Sequence, residues 1–101
     1  MILELADILI QPGKQADFDI AVRRGLSEVI AQAKGFKGFQ INKGIESPER
    51  YTVMIYWETL ESHTVDFRES PAFQAWRSIV GPFFVRPPIV EHFSILGKFS
   101  V

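Results

Sequence analysis

Two histidines, two tryptophans and one carboxylate set in an apolar strand are the residues best suited to chemistry in this chain. Both tryptophans and His63 fall in a single stretch, WETLESHTVDFRESPAFQAW, Trp57 to Trp76. Within it Leu60, His63, Thr64 and Phe67 lie at i, i+3, i+4 and i+7, so one helical face would carry an imidazole beside an aromatic ring. An imidazole with an ordinary pKa of about 6.5 takes or gives a proton near neutral pH. The same ring can equally be structural, hydrogen-bonded to a nearby carbonyl or carboxylate.

His92 lies mid-strand between Val90 and Ser94 and faces either a cavity beneath the helices or the opposite side of the sheet; both readings stay open. Asp7 interrupts an apolar run that also contains Glu4, and a buried carboxylate must find a donor or become protonated. Asp7 is therefore read as one end of a salt bridge or as a proton acceptor. Arg68 and Arg77 either pair at the surface or offer a planar fork to an anionic or phenolic ligand.

Other chemistries have less to stand on. The chain has no cysteine, which removes disulfides, thiolate nucleophiles and zinc–thiolate sites and permits a cytoplasmic location. The histidines are far apart and show no H-x-x-x-H spacing, so no metal is expected. Gly35-Phe36-Lys37-Gly38 has neither Walker nor dinucleotide spacing, and no G-x-S-x-G elbow marks a hydrolase. A net charge of −1 with no basic cluster beyond Arg23-Arg24 argues against nucleic acid and anionic membranes as partners. The apolar N-terminal run is too short to span a bilayer and lacks the basic flank of a secretion signal.

The elements that must position these residues follow from period and punctuation. At 47% apolar residues the chain is globular, and residues 1–101 are expected to form a single domain. Ile2 to Ile10 reads as a strand, and Phe18, Ala21, Val22, Leu26, Val29 and Ala33 as one face of a helix capped near Gly35. Gly25 on that face permits either tight helix–sheet packing or contact with a ligand. Phe36 to Ile45 and Tyr51 to Trp57 read as strands around a Pro48 turn. Thr59 can cap a short helix, and Ser70-Pro71 opens another that runs through Phe73, Trp76 and Val80 to Gly81-Pro82. Phe83 to Pro88 is a connection lying over the domain, and Ile89 to Ile95 a last strand.

The order βαββαβ predicts an α+β, ferredoxin-like subunit: an antiparallel four-stranded sheet with helices on one face. Strands one and three carry bulky apolar groups on both faces, with Leu3, Leu5 and Leu9 opposite Ile2, Ile8 and Ile10. Two helices cover only one side. A homodimer through the sheet faces, closing a dimeric α/β barrel, is the expected cover.

Several of these residues resemble the antibiotic biosynthesis monooxygenase domain family. The resemblance rests on Gln11-Pro12-Gly13-Lys14, the Pro48 hairpin, Trp57-Glu58-Thr59 and Ser70-Pro71-Ala72-Phe73, and it covers nearly the whole chain. It implies a cavity in each subunit between sheet and helices. It also implies cofactor-independent oxidation of polycyclic phenols or quinols by O₂, or haem degradation as in some relatives. Against the haem-degrading pattern, Ala6 stands where those relatives place an asparagine, Phe67 where they place a tryptophan and Arg77 where they place the iron-ligating histidine. Against the commoner pattern, Phe67 occupies the position of a histidine three residues before Ser70-Pro71, and His63, about one turn earlier, projects toward the same space.

The expected function is thus a monooxygenase without a cofactor, acting on an aromatic phenol or quinol-type small molecule. His63 would be the acid/base, assisted by Asp7 or His92. Trp57, Phe67, Phe73 and Trp76 would form the walls, and Arg77 would hold an anion. The alternative is a non-catalytic dimeric module that binds a hydrophobic small molecule.

Overall fold

The structure, a computed structural model, describes residues 1–100 of the chain. Its elements are β1 (Ile2–Leu9), α1 (Gln15–Glu28), β2 (Phe36–Lys43), β3 (Arg50–Trp57), α2 (Pro71–Val80) and β4 (Ile89–Ser94). The strands pair antiparallel in the order β2-β3-β1-β4, and the helices pack on one face, the ferredoxin-like arrangement the element order predicts. Strand pleat decides which residues meet the helices. On β1 these are Glu4, Ala6 and Ile8, while Leu3, Leu5, Asp7 and Leu9 turn the other way.

The core lies between sheet and helices: Ile8, Ile10, Phe18, Val22, Leu26, Tyr51, Val53, Ile55, Trp57 and Val80 are buried. Each fully buried large side chain contributes roughly 1.5–3 kcal/mol of transfer free energy. Gly25 serves neither of its expected uses. It faces α2, and a Cβ there would stand 2.8 Å from ring carbons of Trp76, so it makes room for an indole between the helices.

Other boundaries differ from the periodic reading. α1 ends at Glu28 rather than Ala33; the Val29 amide still donates to Gly25, after which Ile30–Gln32 form one 3₁₀ turn that keeps Ile30 in the core. β2 stops at Lys43, leaving Ile45 outside the sheet and 90% exposed. Ser70 does precede Pro71 at the start of α2, but its hydroxyl donates to the Phe67 carbonyl at 2.6 Å instead of capping the helix. The 83–88 connection is pinned by ladder-like bonds: the Gln11 amide donates to Phe83, and the Val85 amide to Leu9. Among the described residues no helix is long and apolar enough to cross a membrane.

Candidate active site

The site begins with the turn that follows β3. Thr59 Oγ1 accepts the Ser62 amide at 3.1 Å, and the Glu58 amide donates to Gly35 at 2.7 Å. Ser62–Phe67 then winds as a single wide π turn, in which the Arg68 amide donates to His63 five residues earlier at 3.0 Å. Such π turns are uncommon and concentrate at functional sites. A turn closed at this spacing aligns residues four to five apart, so His63 and Phe67 share the inward face while Leu60 is 40% exposed. The α-helical face expected from Leu60 through Phe67 is corrected at its first residue.

His63 is 4% exposed and its ring stacks on Trp57, with centroids 5.4 Å apart and planes at 15°. Its Nδ1 shares a hydrogen bond of 2.8 Å with His92 Nε2. Its Nε2 lies 3.4 Å from Glu4 Oε1, which also accepts the Trp57 indole N–H at 2.8 Å. Register explains the meeting: Glu4 on β1 stands opposite His92 on β4, both on the helix side of the sheet. His92 therefore faces the helices, which settles the orientation the sequence left open. The imidazole nitrogens pair with each other, and among the described residues no group of three or more His, Cys, Asp or Glu is arranged to hold a metal ion.

Burial governs the protonation of this cluster. It pushes the Glu4 carboxyl up to about 7, against the lowering effects of the Trp57 hydrogen bond and the Arg68 charge. It pulls His63 down to about 4, with Arg68 and His92 adding to the shift, and it lowers His92, again with help from Arg68. The short Glu4–His63 approach is thus not a standing ion pair. Near neutral pH an imidazole without charge faces a carboxyl poised between its two forms.

Beside the cluster opens a cavity of about 840 Å³, within the roughly 300–1,000 Å³ of typical ligand pockets. Phe67, Phe73 and Trp76 wall it, Arg77 lies on it, Glu4 reaches it from the sheet and His63 from the π turn. Trp57, expected as a wall, does not line it; the indole lies behind His63, fully buried. Asp7 is not part of the site. It sits on the opposite face of the sheet in a paired contact with Arg50, 2.9 and 3.1 Å, which holds its carboxyl below the usual range. The salt-bridge reading of Asp7 stands, and its reading as proton acceptor does not fit this position.

Glu4 is the group the expectation missed. Its signal was present: an acid in step with Ala6, Ile8 and Ile10, the parity that faces the helices. Arg68 and Arg86 also line the cavity, but the Arg86 guanidinium lies 3.8 Å from Asp7, so Arg68 is the cation whose charge acts on Glu4.

The family profile for antibiotic biosynthesis monooxygenases matches residues 1–78. The uncharacterized protein YczJ of Bacillus subtilis is 34% identical over 93 residues, 92% of this chain and 97% of that protein. A crystal structure from Bordetella bronchiseptica, described as a candidate antibiotic biosynthesis monooxygenase, superposes with a TM-score of 0.88 at 43% identity, covering 94% of this chain and 96% of that one. The ActVA-Orf6 monooxygenase of Streptomyces coelicolor, solved in complex with nanaomycin D, shares the fold at a TM-score of 0.82 and 16% identity, covering 99% of this chain and 91% of that one.

Proposed function

This chain belongs to the antibiotic biosynthesis monooxygenase family, and on that premise we propose that it oxidises an aromatic phenol or quinol-type small molecule with O₂, without a cofactor. The observation that carries the reading is a buried acid/base cluster, Glu4 with His63, opening into a cavity walled by Phe67, Phe73 and Trp76. Flat aromatic walls suit a planar ring system. The nanaomycin D complex of the Streptomyces coelicolor protein lends support to an aromatic guest.

In the reaction proposed, the cluster removes the hydroxyl proton and leaves a phenolate. The phenolate gives one electron to O₂, the aryloxyl radical and superoxide combine at ring carbon, and the peroxide loses water to leave a quinone oxygen. One oxygen atom enters the product and the other leaves as water. The protein would supply a dry cavity, the proton acceptor and a cation for the oxyanion. His63 belongs to the acid/base group, His92 supports it, and Arg77 is the anion partner. Trp57 holds the imidazole flat from behind.

The working unit we propose is a homodimer through the open sheet faces, which would cover Leu3, Leu5 and Phe93. Oxygen uptake with 1,4-dihydroxynaphthalene or anthrone, above a heat-denatured control and strongly reduced in His63→Ala, is the expected result. Binding without uptake would favour the hydrophobic-ligand module instead.

A further inference from the structure

Among the described residues Glu4 is the one carboxylate lining the cavity, and it is buried to 6% exposure. Its Oε1 is occupied by the Trp57 indole and lies near His63. Its Oε2 makes no hydrogen bond to any described residue, yet no unpartnered side-chain oxygen among them is shut away from solvent, so Oε2 is open to the cavity. From Oε1 the polar contacts continue through both nitrogens of His63 to His92, which is half-buried on the edge strand β4. A carboxyl facing a guest, followed by two imidazoles in series that end at a sheet edge, is a path with an inside and an outside.

We propose that Glu4 takes the hydroxyl proton of the substrate, and that His63 and His92 pass it on to solvent at the β4 edge. The proposal deepens the phenolic reading above and rests on it for the identity of the acid. The transfer balances without a co-reactant. The substrate O–H bond breaks and a carboxyl O–H forms. The carboxyl turns to bring that O–H to His63 and protonates its Nε2, the Nδ1 hydrogen of His63 moves to His92 Nε2, and the Nδ1 hydrogen of His92 is released. Each imidazole ends neutral and in its other tautomer, to be reset by ring rotation or by the reverse transfer when product is protonated.

The surroundings favour this direction. Arg68 after the π turn and Arg77 on α2 are the cations on the cavity wall; Arg86 before β4 also lines it but reaches Asp7 at 3.8 Å, and α1 contributes no residue. Arg68 and Arg77 would stabilise a phenolate once the proton has left, and the Arg68 charge disfavours a charged imidazole, so no proton lingers on the rings. His63 is a relay because one ring nitrogen is hydrogen-bonded to His92 and the other lies 3.4 Å from Glu4, whereas Glu4 has a free oxygen facing the guest.

The test is a carboxyl-¹³C and imidazole-¹⁵N NMR titration of the full chain, wild type and Glu4→Gln, with and without 2-naphthol. In the wild type, Glu4 is expected to titrate near 7, with both imidazoles shifting at the same pH; in Glu4→Gln that common shift vanishes. Addition of 2-naphthol is expected to move Glu4 toward its protonated signal and the bound naphthol toward naphtholate, and Glu4→Gln to bind the naphthol un-ionised. Titration of Glu4 in the ordinary carboxylate range, imidazole resonances that do not respond as Glu4 ionises, or naphtholate formation unchanged in Glu4→Gln would each overturn the proposal. If Glu4→Gln does not fold, the wild-type titration decides through the response of both imidazoles as Glu4 ionises. If the wild type binds no 2-naphthol, the phenolic reading fails, while the titration by itself still upholds or overturns the proton path.

Discussion

Glu4 and His63 are both driven toward their neutral forms by burial, and the consequences for stability run in opposite directions along the pH axis. The Glu4 carboxyl is raised from 4.5 to about 7, so its proton favours the folded state below 4.5 and that advantage is lost as pH rises through 7. His63 is lowered from 6.5 to about 4, so its contribution is present above 6.5 and lost as pH falls through 4. Glu4→Gln keeps an oxygen for the Trp57 indole and removes the ionisation. Relative to wild type it should gain stability from about pH 5 to pH 8, on the order of 3 kcal/mol at the alkaline end, measured by urea melts at each pH. A constant difference across that range would show that Glu4 ionises freely. At this scale the sequence was half legible. His63 stood out by its spacing from Phe67. Glu4 did not, because Glu4 and Asp7 look alike as breaks in an apolar strand, and only the parity of the pleat separates the inward acid from the outward one.

The elements hold the site through two close approaches, Gly25 against Trp76 and Gly35 against Ser62. Gly35 has φ +84°, a region costly for other residues, and a Cβ there would collide with the Ser62 hydroxyl and stand 2.8 Å from Ser62 Cβ. Gly35→Ala should therefore destabilise the fold by about 1–3 kcal/mol and shift the His63 imidazole resonances, because Ser62 and His63 begin the same turn. Denaturant melts and NMR would show both; loss of stability with an undisturbed His63 would uncouple Gly35 from the site. Strand positions and the start of α2 were readable from period and from Ser70-Pro71. The π turn was not, since its spacing differs from the helical period by which Leu60 was placed inside. The place of Trp57 was hidden for a related reason: as the last inward residue of β3 it lies under that turn, so His63 comes between it and the cavity.

On the far side of the whole molecule, Leu3, Leu5, Met54 and Tyr56 meet in register, and Phe93 and Ile89 are 43% and 52% exposed. The proposed dimer would cover this face, and a stable interface of standard size buries about 1,600 Å². Phe93→Arg, which changes the open face and leaves the cavity untouched, should shift the protein from dimer to monomer in sedimentation velocity at micromolar concentration. A wild type that sediments as a monomer would refute the pairing. The two-sided greasiness of β1 and β3 was legible in the sequence, whereas the Asp7–Arg50 pair and the Gln40, Asn42 and Thr52 hydrogen bonds that share this face required the register of three strands.

Initial rates of quinol-dependent oxygen uptake across pH, in wild type and Glu4→Gln, test most directly whether the buried carboxyl takes the substrate's proton. A general base works when deprotonated, so the wild-type rate should rise with pH through about 7. In Glu4→Gln it should fall by about 10²-fold or more and lose that rise. Equal rates in the two proteins, or a wild-type rate that does not change through that range, would contradict it.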